Sequence, residues 1–164
     1  MSSSTPELTA AVVTVSDSSS RGERPDLGGP AVVAALEKKN FRIVAREVVP
    51  DDEPAIRAVL VRLCALARFV VTTGGTGIAA RDVTPEATRA ICDRVLEGIS
   101  ERMRAEGLKS TKFAALSRAV CGVRGSSVIL NLPGKPSGAV ESLDAVIDLI
   151  PHALQLLSGD THHD

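Results

Sequence analysis

Apolar and polar positions alternate along the chain with two different periods, and each period predicts a type of element. Short, β-branched apolar runs predict strands at residues 8–15, 41–49, 69–71, 117–123 and 127–132. The last two runs are separated only by Arg124-Gly125-Ser126, which predicts an antiparallel hairpin. The first three runs each lead into a polar or glycine-rich stretch.

Apolar positions three and four residues apart predict helices between the strands. Pro30 opens the first helix, and the run Asp51-Asp52-Glu53-Pro54 starts the second. The third starts with Thr84 as its cap and Pro85 at its first position, a shorter helix covers 98–107, and Pro151 bends the last. The predicted inward faces are Val32, Val33 and Leu36; Ile56, Val59, Leu60 and Leu63; Ala87, Ile91 and Val95; and Val140, Leu143, Ile147, Ile150, Leu154 and Leu157.

This order of elements predicts an α/β fold: a single, mostly parallel sheet flanked by helices on both faces, with a short antiparallel hairpin late in the chain. The domain is predicted to cover residues 9–157, with a disordered N-terminus at 1–8 and a flexible tail at 158–164. Short, right-handed connections place the loops after the first three strands along one edge of the sheet. Sheets of this class bind their ligands at that edge.

Composition argues against several classes of protein. The 164 residues carry a net charge of −1 and only 2% aromatic residues, which argues against a nucleic-acid binder. No apolar run approaches the roughly 20 residues that span a bilayer, and the N-terminus lacks the regions of a signal peptide. Cys64, Cys92 and Cys121 are widely spaced and odd in number, which predicts reduced thiols that fill the core of a cytoplasmic protein.

The candidate chemistry lies at the ends of the first three strands. Thr72-Thr73-Gly74-Gly75-Thr76-Gly77 offers backbone N–H groups and threonine hydroxyls to phosphates. Asp17, Asp51 and Asp82 follow three different strands and are expected in one cleft, where paired carboxylates suit Mg²⁺. Cations in predicted loops are expected to bind anionic groups: Arg21, Arg24, Arg81 and Lys135.

Each feature also has a purely structural interpretation. Asp51 or Asp52 is suited to cap a helix, the glycines to form a turn, and Arg81 with Asp82 to form a surface ion pair. The segment 75–80 fits a dinucleotide fingerprint formally, but the helix is predicted to begin only at Thr84. The histidines lie near the C-terminus, with His152 predicted to be structural or solvent-facing, and neither a Walker loop nor a nucleophile elbow is present. Carboxylates, hydroxyls, backbone donors and cations suit phosphoryl or nucleotidyl transfer.

Thr72-Thr-Gly-Gly-Thr-Gly77 with Arg81-Asp-Val-Thr-Pro-Glu-Ala-Thr88 resembles the signature of the molybdopterin-binding domain family, which includes bacterial molybdopterin adenylyltransferases and a domain of gephyrin. The resemblance runs from Ala10 to about Leu157. It also includes Val15-Ser-Asp17, Asp26 with Gly28 and Pro30, Pro50-Asp-Asp-Glu53, Leu116-Ser-Arg118 and Leu130-Asn-Leu-Pro-Gly-Lys-Pro136.

The resemblance implies a homotrimer that transfers AMP from ATP to molybdopterin with the help of Mg²⁺ and supplies a downstream molybdate-inserting enzyme. It implies that Asp51 and Asp82 are the catalytic and metal-binding carboxylates. It further implies substrate-binding roles for Ser16, Asp17, Thr73, Gly74, Gly75, Thr76, Gly77, Arg81, Pro133, Gly134 and Lys135.

Two positions depart from the family pattern. Ser18 stands where many members carry Arg, and Arg24 replaces a common aromatic residue. The family also contains a sister group with the same signature, so a pterin-binding paralogue that holds or delivers its ligand without catalysis is the alternative.

Overall fold

The computed structural model describes residues 7–159, which form one six-stranded sheet flanked by helices. The sheet order is β2-β1-β3-β6-β5-β4. The pairs β1–β2, β1–β3 and β3–β6 are parallel, whereas β5 is antiparallel to both β6 and β4. The predicted fold class is confirmed. The strands are β1 Thr9–Val15, β2 Arg42–Val49, β3 Phe69–Thr73, β4 Arg94–Val95, β5 Cys121–Arg124 and β6 Ser127–Leu132.

Helices cover both faces of the sheet and give it two cores. On one face Leu36, Leu143 and Leu154 pack with Phe69, and on the other Ile56 packs with its neighbours from α3 and α4. The helices are α1 Asp17–Ser20, α2 Gly28–Glu37, α3 Glu53–Cys64, α4 Thr84–Ile91, α5 Glu97–Gly107, α6 Pro136–Val146 and α7 Ile150–Leu157. Two 3-10 helices cover Lys112–Leu116 and Ile147–Leu149.

The third and last helices differ from the prediction. Thr84 does not cap α4, because its buried hydroxyl donates to the Gly74 carbonyl at 2.9 Å, and Pro85 follows it as the second residue. The helix ends at Ile91, and Val95 instead lies in β4, where it pairs with Gly122 of β5. The last helix is two helices joined by a 3-10 turn, and Pro151 lies in the first turn of α7 rather than at a bend.

Two further segments also differ from their predicted structure. Residues 117–120 precede β5 instead of belonging to it, since the Val120 N–H donates to the Asn131 side chain at 3.1 Å rather than to a strand ladder. The polar stretch after β1 contains α1, whose cap is the Ser16 hydroxyl, which accepts from the Ser19 N–H at 3.2 Å. In both segments, hydrogen bonds with nearby polar side chains therefore determine the backbone conformation.

The outer strand β2 carries charged side chains that form ion pairs. Arg62 binds Glu47 at 2.6 Å, Arg46 binds Asp26 at 3.1 Å, and Arg42 pairs with Glu7. At the other edge of the sheet β4 is only two residues long. Leu8, beside Glu7, packs against the core. The predictions for residues 1–6 and 160–164 concern positions outside the described residues. Over residues 7–159, no helix combines the length and the apolar character needed to cross a bilayer.

Candidate active site

The carboxyl ends of the parallel strands β1, β2, β3 and β6 meet at one edge of the sheet, around a cleft of about 390 Å³. Each strand end contributes to its lining, and the loop before α4 adds the rest. The predicted site residues along this cleft are Ser16 and Asp17 after β1, Asp51 after β2, Thr73, Gly74 and Gly75 after β3, Arg81 and Asp82 from the loop, and Gly134 after β6. The structure thus brings the three predicted carboxylates together.

Asp17 and Asp51 fix the ends of β1 and β2 to each other. The Asp17 N–H donates to Asp51 Oδ2 at 3.0 Å, and the Asp51 N–H donates to Asp17 Oδ1 at 2.8 Å. A Cβ on Gly75 would lie 3.2 Å from Asp51 Oδ1, so this second oxygen faces the glycine loop. Asp51 therefore has one oxygen engaged with the backbone and one directed to the loop.

Asp52, next in the chain, has the structural role that the sequence allowed for either residue. Its side chain accepts from the Ala55 N–H at 2.9 Å and caps α3. Because one N-cap suffices for α3, Asp51 is left facing the cleft.

The environment of the cleft disfavours the ionised form of the Asp51 carboxyl. Burial raises the pKa of its carboxyl, and the nearby negative charges of Asp17 and Asp82 act in the same direction. The Asp17 N–H and Arg81 oppose this rise. A bound cation would relieve the repulsion between these carboxylates.

The donor set suits Mg²⁺ held largely by substrate. Asp51 and Asp82 offer hard oxygen ligands in the same cleft. Between residues 7 and 159, no group of three or more His, Cys, Asp or Glu side chains is placed to bind a metal on its own. Mg²⁺ commonly takes one or two carboxylates and completes its octahedron with phosphate oxygens and water. The residues present therefore fit a metal whose coordination is completed by phosphate oxygens of a ligand.

The glycines allow the loop after β3 to adopt conformations that other residues rarely adopt. Gly74 has φ 104° and Gly75 has φ 70°. A Cβ would lie 2.3 Å from the Val15 carbonyl oxygen at Gly74, and 2.3 Å from the Thr84 hydroxyl at Gly75. The loop is thus packed directly against β1 and α4, and the absence of side chains leaves its backbone open to the cleft.

Thr73 connects two loops of the site. Its hydroxyl donates to the Pro133 carbonyl at 2.8 Å, so the proton that was predicted to contact phosphate is engaged within the protein. The same contact fixes the segment Pro133–Lys135 beside the glycine loop.

A second cavity of about 520 Å³ lies on the other side of the glycine loop. It shares Gly75, Asp82 and Gly134 with the first cleft. Its lining is largely apolar, with polar groups at the glycine loop, and includes Thr76, Gly77, Ile78, Met103, Phe113, Leu116, Pro133 and Lys135. Asp82 and the glycine loop therefore form a common wall between a polar cleft and an apolar cavity.

The sequence did not predict the apolar side of this second cavity. Phe113 and Leu116 lie in a short, mostly polar segment, and the structure leaves them 66% and 50% exposed, with Ile78 at 69%. The signal in the sequence that could have indicated this cavity is a large apolar residue, such as Phe113, that belongs to no helical or strand period.

The predicted cations divide among different places. Arg24 and Arg81 line the first cleft and Lys135 lines the second cavity, whereas Arg21 binds Glu23 at 2.9 Å and lines neither. Asp82 Oδ2 accepts from the Ala79 N–H at 3.0 Å. In the described part of the chain, Arg81 and Asp82 form no ion pair with each other, contrary to the structural alternative.

Comparisons with known proteins agree with this architecture. Residues 11–152 match the family described as "Probable molybdopterin binding domain". Molybdopterin adenylyltransferase of Helicobacter pylori is 40% identical over 153 residues, which cover 91% of this chain and 87% of that protein. The Escherichia coli protein of the same name is 37% identical over 169 residues, covering 93% and 86%.

Solved structures show the same fold. The molybdopterin biosynthesis enzyme MoaB of Thermus thermophilus superimposes with a TM-score of 0.86 at 50% identity, covering 93% of this chain and 97% of that one. The molybdopterin biosynthesis Mog protein of Mycobacterium ulcerans gives a TM-score of 0.85 at 35% identity, covering 93% and 98%.

Proposed function

The chain belongs to the molybdopterin-binding domain family, and from this membership we propose that it is a molybdopterin adenylyltransferase of molybdenum cofactor biosynthesis. It transfers AMP from ATP to molybdopterin, and the products are adenylyl-molybdopterin and pyrophosphate.

The observation that carries this proposal is the common wall of the two cavities. A transferase for two large substrates needs two adjoining sites whose reacting groups meet. Gly75, Asp82 and Gly134 border both cavities, and Asp51 faces the same glycine loop. Phosphates from two ligands would therefore approach each other beside the carboxylates.

In the proposed reaction, an oxygen of the terminal phosphate of molybdopterin attacks the α-phosphorus of ATP. A new P–O bond forms, the bond to the β-phosphate bridging oxygen breaks, and pyrophosphate leaves with that oxygen. Mg²⁺, when bound by Asp51 and Asp82, supplies neutralisation of the phosphate charge. Such reactions depend mainly on positioning and on charge stabilisation.

The other residues bind and orient the substrates. The backbone N–H groups of Gly75, Thr76 and Gly77 and the Thr76 hydroxyl bind phosphate oxygens, and Arg81 and Lys135 add positive charge from either side of the common wall. The Gly74 N–H donates to the Leu132 carbonyl at 3.0 Å, so Gly74 shapes the loop and lines the first cleft. Ser16 and Asp17 border the first cleft, and Pro133 with Gly134 borders the second cavity.

The rival function is a module that binds the pterin without catalysis. The carboxylates favour the enzyme, because negative side chains beside a phosphate site weaken the binding of an anion unless a cation joins them.

The deciding experiment mixes the purified protein with molybdopterin, ATP and Mg²⁺. We expect adenylyl-molybdopterin and pyrophosphate in equal amounts. Chromatography of the pterin measures the first product, and an enzymatic assay measures the second. Tight binding of molybdopterin without either product would instead identify a carrier.

We also propose that the protein acts in the cytoplasm as a homotrimer and passes its product to a molybdate-inserting enzyme. Sedimentation equilibrium should give three times the chain mass of 17.1 kDa. A monomer at micromolar concentration would contradict the trimer.

A further inference from the structure

Arg118 binds one short segment of chain through four separate donors. Its backbone N–H donates to the Thr76 carbonyl at 2.9 Å. Its Nε donates to the Gly77 carbonyl at 2.8 Å, and its Nη2 donates to the Asp82 carbonyl at 2.7 Å. Its Nη1 donates to the Glu86 carboxylate. Arg118 therefore holds three parts of this segment: the glycine loop, the backbone of Asp82, and the first turn of α4.

We propose that Arg118 is a positioning residue for adenylyl transfer, which sets the place of the Asp82 carboxylate in the common wall between the two cavities. This inference rests on the proposed function for its catalytic consequence. The guanidinium binds main-chain carbonyls and a carboxylate of α4, and Arg118 lines neither of the two cavities among the described residues. It acts through Asp82 and does not contact the reacting atoms.

The loop that carries Asp82 needs such support, because residues 74–83 form neither helix nor strand. Ile78, Ala79, Ala80 and Arg81 are exposed, so packing does little to hold them. At the tip of the loop the Asp82 N–H donates to the Ala79 carbonyl and the Ala79 N–H donates to Asp82 Oδ2, and at its base the Thr84 N–H donates to the Gly75 carbonyl at 3.2 Å. Arg118 connects that tip to the rest of the fold.

Arg118 is itself anchored to the core of the sheet. The Val120 N–H donates to Asn131 Oδ1, and the buried Asn131 amide donates to the hydroxyls of Thr72 and Thr88, each at 3.0 Å. Asn131 thus fixes Val120 to β6, and Arg118, two residues earlier in the chain, binds the Asp82 carbonyl.

The geometry requires a guanidinium. Arg118 reaches three acceptors with nitrogens held in one plane, whereas a lysine ammonium offers a single point of charge on a flexible stem. Lysine would keep the charge and the backbone bond to Thr76 but could not bridge Gly77, Asp82 and Glu86 together. Arg118→Lys therefore removes the bridge with little other change.

Arg68→Lys is the matched control. Arg68 is half-buried and also donates to two backbone carbonyls, those of Ser126 and Leu154, each at 2.8 Å, but it lies away from the cleft. Both variants lose a guanidinium bridge, so a loss caused by general destabilisation would appear in both.

The first measurement is steady-state kinetics. For Arg118→Lys we expect kcat to fall by between about tenfold and about a hundredfold, the range that a displacement near 1 Å produces, with KM for ATP and molybdopterin within about threefold of wild type. Arg68→Lys should keep wild-type kcat. An unchanged kcat in Arg118→Lys, or an equal loss in Arg68→Lys, would overturn the inference.

The second measurement does not need activity. In hydrogen exchange, the amides of Ala79, Asp82 and Thr84 should exchange about tenfold faster in Arg118→Lys and at the wild-type rate in Arg68→Lys. Unchanged exchange in Arg118→Lys would refute the positioning role. An inactive wild type would refute the proposed function alone, because the exchange rates would still show whether Arg118 holds the loop.

Glu86→Gln covers the case in which Arg118→Lys does not fold. Glu86 is exposed, and the amide weakens one contact of the guanidinium while the others remain. We expect a fall in kcat of about threefold and faster exchange at the same amides. Wild-type values for both would contradict the inference.

Discussion

Asp51 and Asp82 reach the same cleft from supports of different rigidity. Asp51 follows a strand, and its Oδ2 accepts from the Asp17 N–H at 3.0 Å. Asp82 lies on an irregular loop, and its Oδ2 accepts from the Ala79 N–H in the same loop. Asp51 thus has a fixed position with an unfavourable charge, whereas Asp82 depends on the conformation of its loop.

Replacing Asp82 tests its catalytic role. Asp82→Asn keeps the size and an acceptor oxygen for the Ala79 N–H but removes the negative charge that would bind Mg²⁺. We expect AMP transfer to fall at least about a hundredfold, as for the loss of other groups that stabilise transition-state charge, while Tm stays within about 2 °C. The control is Asp93→Asn, an exposed carboxylate that accepts from the Gly125 N–H at 2.7 Å and lines neither cavity. Full activity in Asp82→Asn would contradict the role.

Asp51 should lower the stability of the metal-free protein near neutral pH. Because its pKa is raised in the fold, the native state binds a proton more tightly than the unfolded chain does. The resulting stability is present below the unfolded pKa of about 3.9 and is lost as pH rises through the higher native pKa. Asp51→Asn cannot ionise, so its Tm should exceed that of wild type near pH 7 and match it near pH 3.5.

Calorimetry in the presence of a chelator across this pH range checks the expectation. Asp52→Asn is the control, since asparagine caps helices as well as aspartate does and Asp52 lies at the start of α3. The control should show no gain in Tm. A lower Tm for Asp51→Asn than for wild type at neutral pH would refute the argument.

Gly74 combines a strained conformation with a close approach, and the two effects can be separated. Gly22 has φ 73° with open space around it, so Gly22→Ala should cost about 1 kcal/mol from backbone conformation alone. Gly74→Ala adds a clash with the Val15 carbonyl and should cost about 3 kcal/mol or more. Urea denaturation measures both values, and equal losses would show that the close approach is not costly.

At the scale of elements, Asn131 joins parts of the chain that are far apart in sequence. Its side chain bonds to Thr72 of β3, Thr88 of α4 and the Val120 N–H before β5. The residue is fully buried, so removing its side chain would leave each partner without that hydrogen bond inside the protein. Asn131 therefore connects the parallel half of the sheet to the antiparallel half.

Truncating this side chain should be costly. Asn131→Ala leaves buried polar groups without their partner, and we expect a loss of about 3 kcal/mol in the free energy of unfolding. Ser20→Ala removes an exposed hydroxyl that donates to the Asp17 carbonyl at 2.8 Å and should cost less than about 1 kcal/mol. Denaturant titration of both variants gives the comparison, and a loss below about 1 kcal/mol for Asn131→Ala would contradict it.

Elements with a strong local pattern could be predicted from the sequence. The bounds of β6 and the buried face of α3, with Ile56 and Leu63, are confirmed because their apolar periods match their burial. The spacing of Ala87, Ile91 and Val95 predicts that Val95 continues the helix. Its pairing with Gly122 depends on a distant strand that local periodicity does not show.

The site could be predicted where the strand ends and the loops that follow them determine it. Asp17, Asp51 and the glycine loop follow parallel neighbouring strands, so topology alone places them together. The apolar cavity and Arg118 depend on how α5 and residues 112–118 pack against the glycine loop. Those contacts join positions separated by tens of residues without a shared period.

For the whole molecule, the thiols report how well the fold protects its interior, since Cys121 is buried whereas Cys64 and Cys92 are half-buried. Burial raises the pKa of Cys64 and Cys92 to about 11 and that of Cys121 to about 12. Near pH 8, each thiol in the native protein should react with iodoacetamide at least about a hundredfold more slowly than in the urea-unfolded chain. Mass spectrometry of alkylated peptides measures the rates. Rapid reaction of one thiol in the native protein would show a local opening that burial does not account for.

The two edges of the sheet have a consequence for how copies of the chain meet. An exposed strand invites pairing with another chain, and open-ended pairing leads to aggregates. Here β2 carries arginines and a glutamate engaged in ion pairs, and β4 is too short to template a neighbour. Continuous sheets across molecules are thereby disfavoured at both ends. A closed assembly such as the proposed trimer would have to form through helices and loops. Such an assembly has a defined number of subunits and does not grow into a polymer.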